Sequence, residues 1–284
     1  MPVRDLRDGA GMAYAEAGVG PAIVLVHGWA ANGGFFADLA KRLSAHHRVI
    51  SVTLRGHPGS DAGALPLTIE TLADDIVDFT NALGLKSLTA LGWSMGAMAL
   101  WAAAPALGAR LTGLVVEDMG PRLPNSADWP HGLSGGYNAA DIDATLSEIG
   151  ADWPAYVARF APRMFAPTVR ETRPELIDWA IAEMAKADGA AMASYWRSMA
   201  AQDFRATLAR VPQRMLVIRG AESQVYPDGA TAHIARIAPN AERVVIEGAG
   251  HVPHLEAPDQ FFTHVEAFVR GERRSELRSG GAVP

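Results

Sequence analysis

Short, unbroken apolar runs recur along this chain, most of them closing on glycine. They lie at 22–28 (AIVLVHG), 48–60 (RVISVTLRGHPGS), 111–118 (LTGLVVED), 214–220 (RMLVIRG) and 242–248 (ERVVIEG). A run of this length without polar alternation reads as a strand buried on both faces. Between these runs the apolar spacing changes to the helical period. The stretches 69–84 (IETLADDIVDFTNALG), 229–239 (GATAHIARIAP) and 258–271 (PDQFFTHVEAFVRG) read as helices, the first with a glycine stop. The segment 87–91 (SLTAL) leads through GWSMG into an Ala-rich helical stretch. Strands alternating with helices predict an α/β fold, a mostly parallel central sheet flanked by helices.

The middle of the chain breaks this pattern. Strand signals fade over residues 121–211, which are rich in Ala, Trp, Tyr and Met and carry helical patches such as DIDATLSEIG, PELIDWAIAEMAKA and AMASYWRSMAA. The expected organisation is a core formed by 1–120 and 212–271, a helical cap at 121–211 inserted between two core strands, and a polar, Gly-rich flexible tail at 272–284. Most of the large apolar residues of the insertion pack its own helices, and a minority line a pocket. Tyr195 and Trp196 are candidates for that lining.

Composition narrows the chemistry. A formal charge of −6 over 284 residues disfavours nucleic acid as a partner. The chain has no cysteine, so its nucleophile must be a hydroxyl, carboxylate or amine, and a reducing compartment is in keeping with that. The first 18 residues show no apolar signal core and no run is long enough to span a bilayer, so the expected location is the cytoplasm. Nothing in the sequence bears on oligomeric state.

The chemistry centres on Gly92-Trp93-Ser94-Met95-Gly96. A predicted strand precedes this segment and a predicted helix follows it. On such a sharp turn the serine is forced into a strained backbone conformation and flanking glycines avoid side-chain clashes. It stands at a helix N-terminus, where backbone N–H groups meet developing negative charge.

Together with VLVHGWAAN, LRGHPGS and GAGHVPHLEAPDQF, in that order, this segment resembles the α/β-hydrolase superfamily, and the resemblance covers nearly the whole chain. It implies an α/β-hydrolase fold with a helical cap and no cofactor. It makes Ser94 the nucleophile and His251, in Gly248-Ala249-Gly250-His251, its general base. The backbone N–H groups of Trp29 and Met95 then form the oxyanion hole. The Trp29 and Trp93 side chains flank the pocket or pack the core. His27 and His57 fall at structural turns of the family, and His254 reads as a loop or helix-start residue.

One position departs from the family pattern. The carboxylate that orients the histidine usually stands three residues after the glycine ending LVIRG, and here that residue is Ser223. Glu222 is one residue early, and a one-residue shift on an extended segment points the side chain the other way. The alternatives are Glu117 and Asp118 at the end of LTGLVVED. YbfF-like acyl esterases resemble the chain at both places, with Asp shortly before Pro at the earlier strand and Gly-x-x-Ser at the later one. That joint match favours Asp118, with Glu222 as the alternative acid.

The resemblance therefore implies a serine esterase acting on a small-molecule, predominantly apolar ester through an acyl-enzyme. A lactonase or amidase, a carbon–carbon bond hydrolase and a cofactor-free perhydrolase would use the same triad. A ligand receptor on a hydrolase scaffold would have the fold without turnover. Ser94 argues strongly against aspartate-nucleophile dehalogenases and epoxide hydrolases.

Overall fold

The computed structural model describes residues 1–272. The expected tail lies, beyond its first residue, outside them. Eight strands form one sheet: β1 (Val3–Asp5), β2 (Gly11–Ala17), β3 (Ala22–Val26), β4 (Arg48–Val52), β5 (Leu88–Trp93), β6 (Leu111–Glu117), β7 (Arg214–Gly220) and β8 (Ala241–Ile246). Their order across the sheet is β1-β2-β4-β3-β5-β6-β7-β8. From β4 to β8 every pairing is parallel, whereas β1–β2 and β2–β4 are antiparallel.

The parallel strands are the ones that read as unbroken apolar runs. Val24, Leu25, Val26, Ile50, Leu91, Leu114, Val115, Val116, Val217 and Ile218 have almost no exposure. Strands β1 and β2 were missed. The first is three residues long, and the second (GMAYAEA) has a buried start and an exposed end rather than a continuous apolar core.

Helices α1 (Ala37–Leu43), α2 (Ile69–Ala82) and α3 (Met95–Leu107) follow β3, β4 and β5. The chain moves outward from β3 to β4 in one direction and from β5 to β6 in the other. Right-handed crossovers then place α1 and α3 on opposite faces. Thr68 caps α2 by accepting the Thr71 N–H, and its apolar stripe packs on α3.

Between β6 and β7 run six helices: α4 (Ala139–Ala151), α5 (Trp153–Phe160), α6 (Pro167–Thr172), α7 (Pro174–Met184), α8 (Gly189–Ala200) and α9 (Arg205–Leu208). Asn138 and Asp141 close a capping box at the start of α4, Asp152 caps α5 and Asp188 caps α8. The remaining helices are α10 (Asp228–Ile237), α11 (Pro253–Glu256) and α12 (Pro258–Val269), with α12 packed on α1. Among the described residues no helix is long and apolar enough to cross a membrane.

Strand order reverses between β3 and β5, and in open α/β sheets the crevice at the carboxyl ends of such strands is where ligands bind. Four segments meet there: the loop after β3, the turn between β5 and α3, the end of β6 and the loop after β8.

The turn after β4 is held by Arg55, whose buried guanidinium binds Asp75 through two hydrogen bonds and Asp8 through two more. Those bonds offset the cost of burying the charges. The arrangement accounts for the polar residues of LRGHPGS as scaffold.

Candidate active site

Ser94 is the first residue of the turn from β5 into α3, with φ 52° and ψ −121°. A non-glycine residue at positive φ is strained, and the strain persists only where the surroundings over-determine it. Here they do. The Ser94 N–H donates to the Glu117 carbonyl at 3.0 Å, and its own carbonyl accepts the Ala97 N–H at 2.8 Å.

A Cβ on Gly96 would collide with the Val26 and His27 carbonyls, and one on Gly92 with the backbone of Gly96 and Ala97. The two glycines therefore let α3 start directly over the end of β3, and this close approach is the physical content of the motif. Trp93 fills the space beside it. Its indole N–H donates to the His251 carbonyl at 2.9 Å and its ring stacks on Phe35.

His251 follows β8 on a loop pinned from three directions. Its N–H donates to the Met164 carbonyl at 2.6 Å. Gly250 passes so close to the Met164–Ala166 backbone that a side chain would not fit. The buried Glu256 carboxylate accepts the N–H groups of Gly250 at 2.7 Å, Val252 at 3.2 Å and Ala166 at 2.6 Å. Glu256 thus joins the histidine loop to the helical segment between β6 and β7. Burial pushes the Glu256 carboxyl up to about 7, against the pull of the three amides.

The carboxylate that meets His251 is Asp118, with Nδ1 and Oδ2 2.6 Å apart. Both side chains are almost fully buried. The Ser223 hydroxyl donates to the same Oδ2 at 2.5 Å. The residue standing where the family usually keeps its acid is therefore hydrogen-bonded to Asp118. Glu222 takes no part in this cluster and contributes only its backbone N–H, to the Ala249 carbonyl at 2.9 Å. Glu117 pairs with His254 rather than His251, at 2.7 Å.

Other expected residues are placed as follows. Trp29 docks into the helical segment, its indole N–H donating to the Met192 carbonyl at 2.9 Å. Its ring makes edge contacts with Trp153, Tyr156, Phe160 and Trp196. His27 is a bridge. Its Nε2 accepts the Leu54 N–H, so Nδ1–H donates to the Gly28 carbonyl, and burial holds the imidazole neutral, well below its usual range.

A cavity of about 20 Å³ lies at the site, with Ser94, His251, Trp29, Trp93, Trp196 and Tyr226 in its wall. Tyr195 is not among its wall residues. The Tyr195 hydroxyl donates to the Arg55 carbonyl at 2.8 Å and its ring lies tilted against His57, so it packs the turn after β4 instead. A second cavity of about 220 Å³ adjoins the first, sharing Leu133, Phe160, Trp196 and Val225 and adding Ser134, Tyr137, Tyr156 and Arg163.

A strained serine at a helix start, and an acid-bound histidine in the wall of the same cavity, are the parts from which acyl-transfer sites are built. The family model of the alpha/beta hydrolase family matches residues 23–264. The chain belongs to the alpha/beta hydrolase family.

Among curated relatives, the chain is 28% identical over 255 residues to a pimeloyl-[acyl-carrier protein] methyl ester esterase of Xanthomonas axonopodis pv. citri. That alignment covers 89% of this hydrolase and 96% of the relative. It is 26% identical to the protein of that name from Photobacterium profundum, over 91% and 98% of the two chains. An esterase structure from Exiguobacterium antarcticum superposes with a TM-score of 0.88 at 24% identity, covering 94% of this chain and 98% of that one.

Two outcomes follow from this geometry. Asp118→Asn should lower kcat by about 10⁴-fold with the fold intact, as expected when an orienting carboxylate is lost. Glu222→Gln should leave kcat near the wild-type value. Steady-state kinetics on any turned-over ester, alongside circular dichroism, checks both, and the reverse pattern would overturn the placement of the acid.

Glu256 binds its proton more tightly when folded than at its ordinary value of 4.5. The stability this confers is present at low pH and lost as pH rises toward about 7. Wild type should therefore lose stability relative to Glu256→Gln across that window. Denaturant titrations at a series of pH values measure the difference, and a flat one contradicts the assignment.

Proposed function

We propose that this hydrolase is a serine esterase working through an acyl-enzyme, with Ser94, His251 and Asp118 as its triad. The observation that carries the reading is the shared cavity. Ser94 lies in its wall at φ 52°. His251 lies in the same wall with Nδ1 held 2.6 Å from a buried carboxylate.

With Nδ1–H donated to Asp118, His251 presents Nε2 as the free base. It takes the Ser94 Oγ proton as the hydroxyl attacks the ester carbonyl. The tetrahedral oxyanion is received by the N–H groups of Met95, at the start of α3, and Trp29, in the loop after β3. Collapse expels the alcohol with the proton from His251. Water activated by His251 then attacks the acyl-enzyme and releases the acid. The Asp118 charge stabilises the imidazolium in both halves, and Ser223 helps hold that carboxylate in place.

The helical segment between β6 and β7 acts as a cap. Trp29 and Glu256 join it to the oxyanion loop and the histidine loop respectively. The inner cavity is the smaller of the two, so the smaller part of the substrate is placed beside Ser94. A longer arm of the substrate extends past Phe160 and Trp196 into the larger, partly polar cavity. This supports esters with one short, apolar partner. The esterase names of the curated relatives support the same reaction class.

A p-nitrophenyl ester panel of increasing acyl length tests the proposal. Turnover is expected on members of the panel, its dependence on acyl length showing which cavity takes the acyl chain, and Ser94→Ala should reduce kcat by about 10⁵–10⁶-fold. Absence of turnover on every ester by folded protein, or turnover that survives Ser94→Ala, would overturn it.

A further inference from the structure

Strand β6 ends in two consecutive buried carboxylates, and the one that precedes Asp118 has its own histidine. Glu117 has no solvent exposure. Its Oε1 accepts both the backbone N–H of His254 at 3.0 Å and the His254 Nδ1–H at 2.7 Å. The His254 ring is buried against Phe36, Trp93 and Phe261, with centroids 4.7, 5.3 and 5.9 Å away. This pair parallels Asp118–His251, with the acid one residue earlier, at the last position of β6, and the histidine three residues later, in α11.

The Glu117 main chain reaches the nucleophile turn, because its carbonyl accepts the Ser94 N–H at 3.0 Å. One residue therefore touches all three segments of the site. Its carbonyl holds Ser94, its peptide bond leads into Asp118, and its carboxylate holds the loop that carries His251. Asp118 is itself at φ 40°, a strained conformation that persists only under such restraint. Trp93 closes the group, with its ring 5.8 Å from that of His251 and 5.3 Å from that of His254.

The pair is a costly way to fill a core. Among the described residues, Glu117 Oε2 and His254 Nε2 are buried without a hydrogen-bond partner. Apolar side chains of similar shape would avoid that desolvation. What apolar side chains would not supply is a directional link between the end of β6 and the histidine loop.

We propose that Glu117–His254 is a positioning pair for the reaction at Ser94. It fixes the register of the His251 loop against the end of β6, so that the imidazole held by Asp118 stays in the wall of the cavity it shares with Ser94. The inference rests on the esterase reading for its kinetic consequence, but not for its structural one.

Three variants test it: Glu117→Gln, Glu117→Leu and His254→Phe. Glutamine keeps an oxygen acceptor for both His254 N–H groups and should hold kcat near the wild-type value. Leucine removes the link, and phenylalanine keeps the ring packing while removing the Nδ1 donor. Each of these two should lower kcat by about 10- to 100-fold with KM little changed, the signature of a misplaced catalytic group. Histidine-selective NMR reads the same register without turnover. The His251 ring resonances should move in Glu117→Leu and His254→Phe but not in Glu117→Gln.

If those two variants lose only thermal stability, with kcat per folded molecule and the His251 resonances unchanged, the pair is core packing and the proposal fails. If wild type turns over no ester, the esterase reading fails, and the NMR result alone decides the positioning claim.

Discussion

The hydrogen bond from His251 Nδ1 to Asp118 Oδ2, 2.6 Å long and closed off from solvent, joins two chain segments 133 residues apart in sequence. Much of the neighbouring structure serves to put its two ends in place. Asp118 sits at positive φ where β6 gives way to the helical segment, and His251 sits on a loop that follows the last strand. Neither end is held by its own element alone. Ser223, from the turn after β7, steadies the carboxylate, while Glu256 and the Met164 carbonyl hold the loop.

The helical segment between β6 and β7 and the sheet loops are therefore one mechanical unit at this point. The backbone at 164–166 bonds both His251 and Glu256, and Trp29 reaches from the loop after β3 to the Met192 carbonyl. A shift of the helical segment would be transmitted to the His251 loop and the loop after β3 together. The same close approach explains why small residues recur here. At Gly96 and Gly250 a side chain would displace backbone from the site. The sheet brings these loops together through its topology, since the strand order reverses where the Ser94 turn and the loop after β3 emerge.

Much of this was legible before the structure. Strands buried on both faces stand out as unbroken apolar runs, so the parallel core could be read directly. The short antiparallel edge of β1 and β2 could not, because an Ala-rich, half-exposed strand carries little pattern. Ser94 and His251 stood out because each lies in a local motif whose glycines are demanded by close packing.

Asp118 was harder, since an acid needs only to reach the imidazole and its place in the chain is free. The clue was an absence, the serine at 223, and the structure brings that serine to Asp118. Tyr195 misled for the opposite reason. A large aromatic in the cap fits either pocket or packing, and only the tertiary fold assigns it to Arg55 and His57. The Glu117–His254 pair was not legible: Glu117 could be read only as an alternative acid for His251 and His254 only as a loop or helix-start residue, and their pairing across 137 residues is set by the tertiary fold.

The central claim is that Ser94 is made nucleophilic by a histidine poised by Asp118. Covalent trapping tests it without reference to any natural substrate. The protein is treated with a p-nitrophenyl alkylphosphonate, which phosphonylates an activated serine and releases nitrophenol, and the adduct is mapped by peptide mass spectrometry. A single adduct on the peptide carrying Ser94, formed far more slowly in His251→Ala, is the predicted result. No adduct on folded protein, or an adduct at another residue, would contradict it.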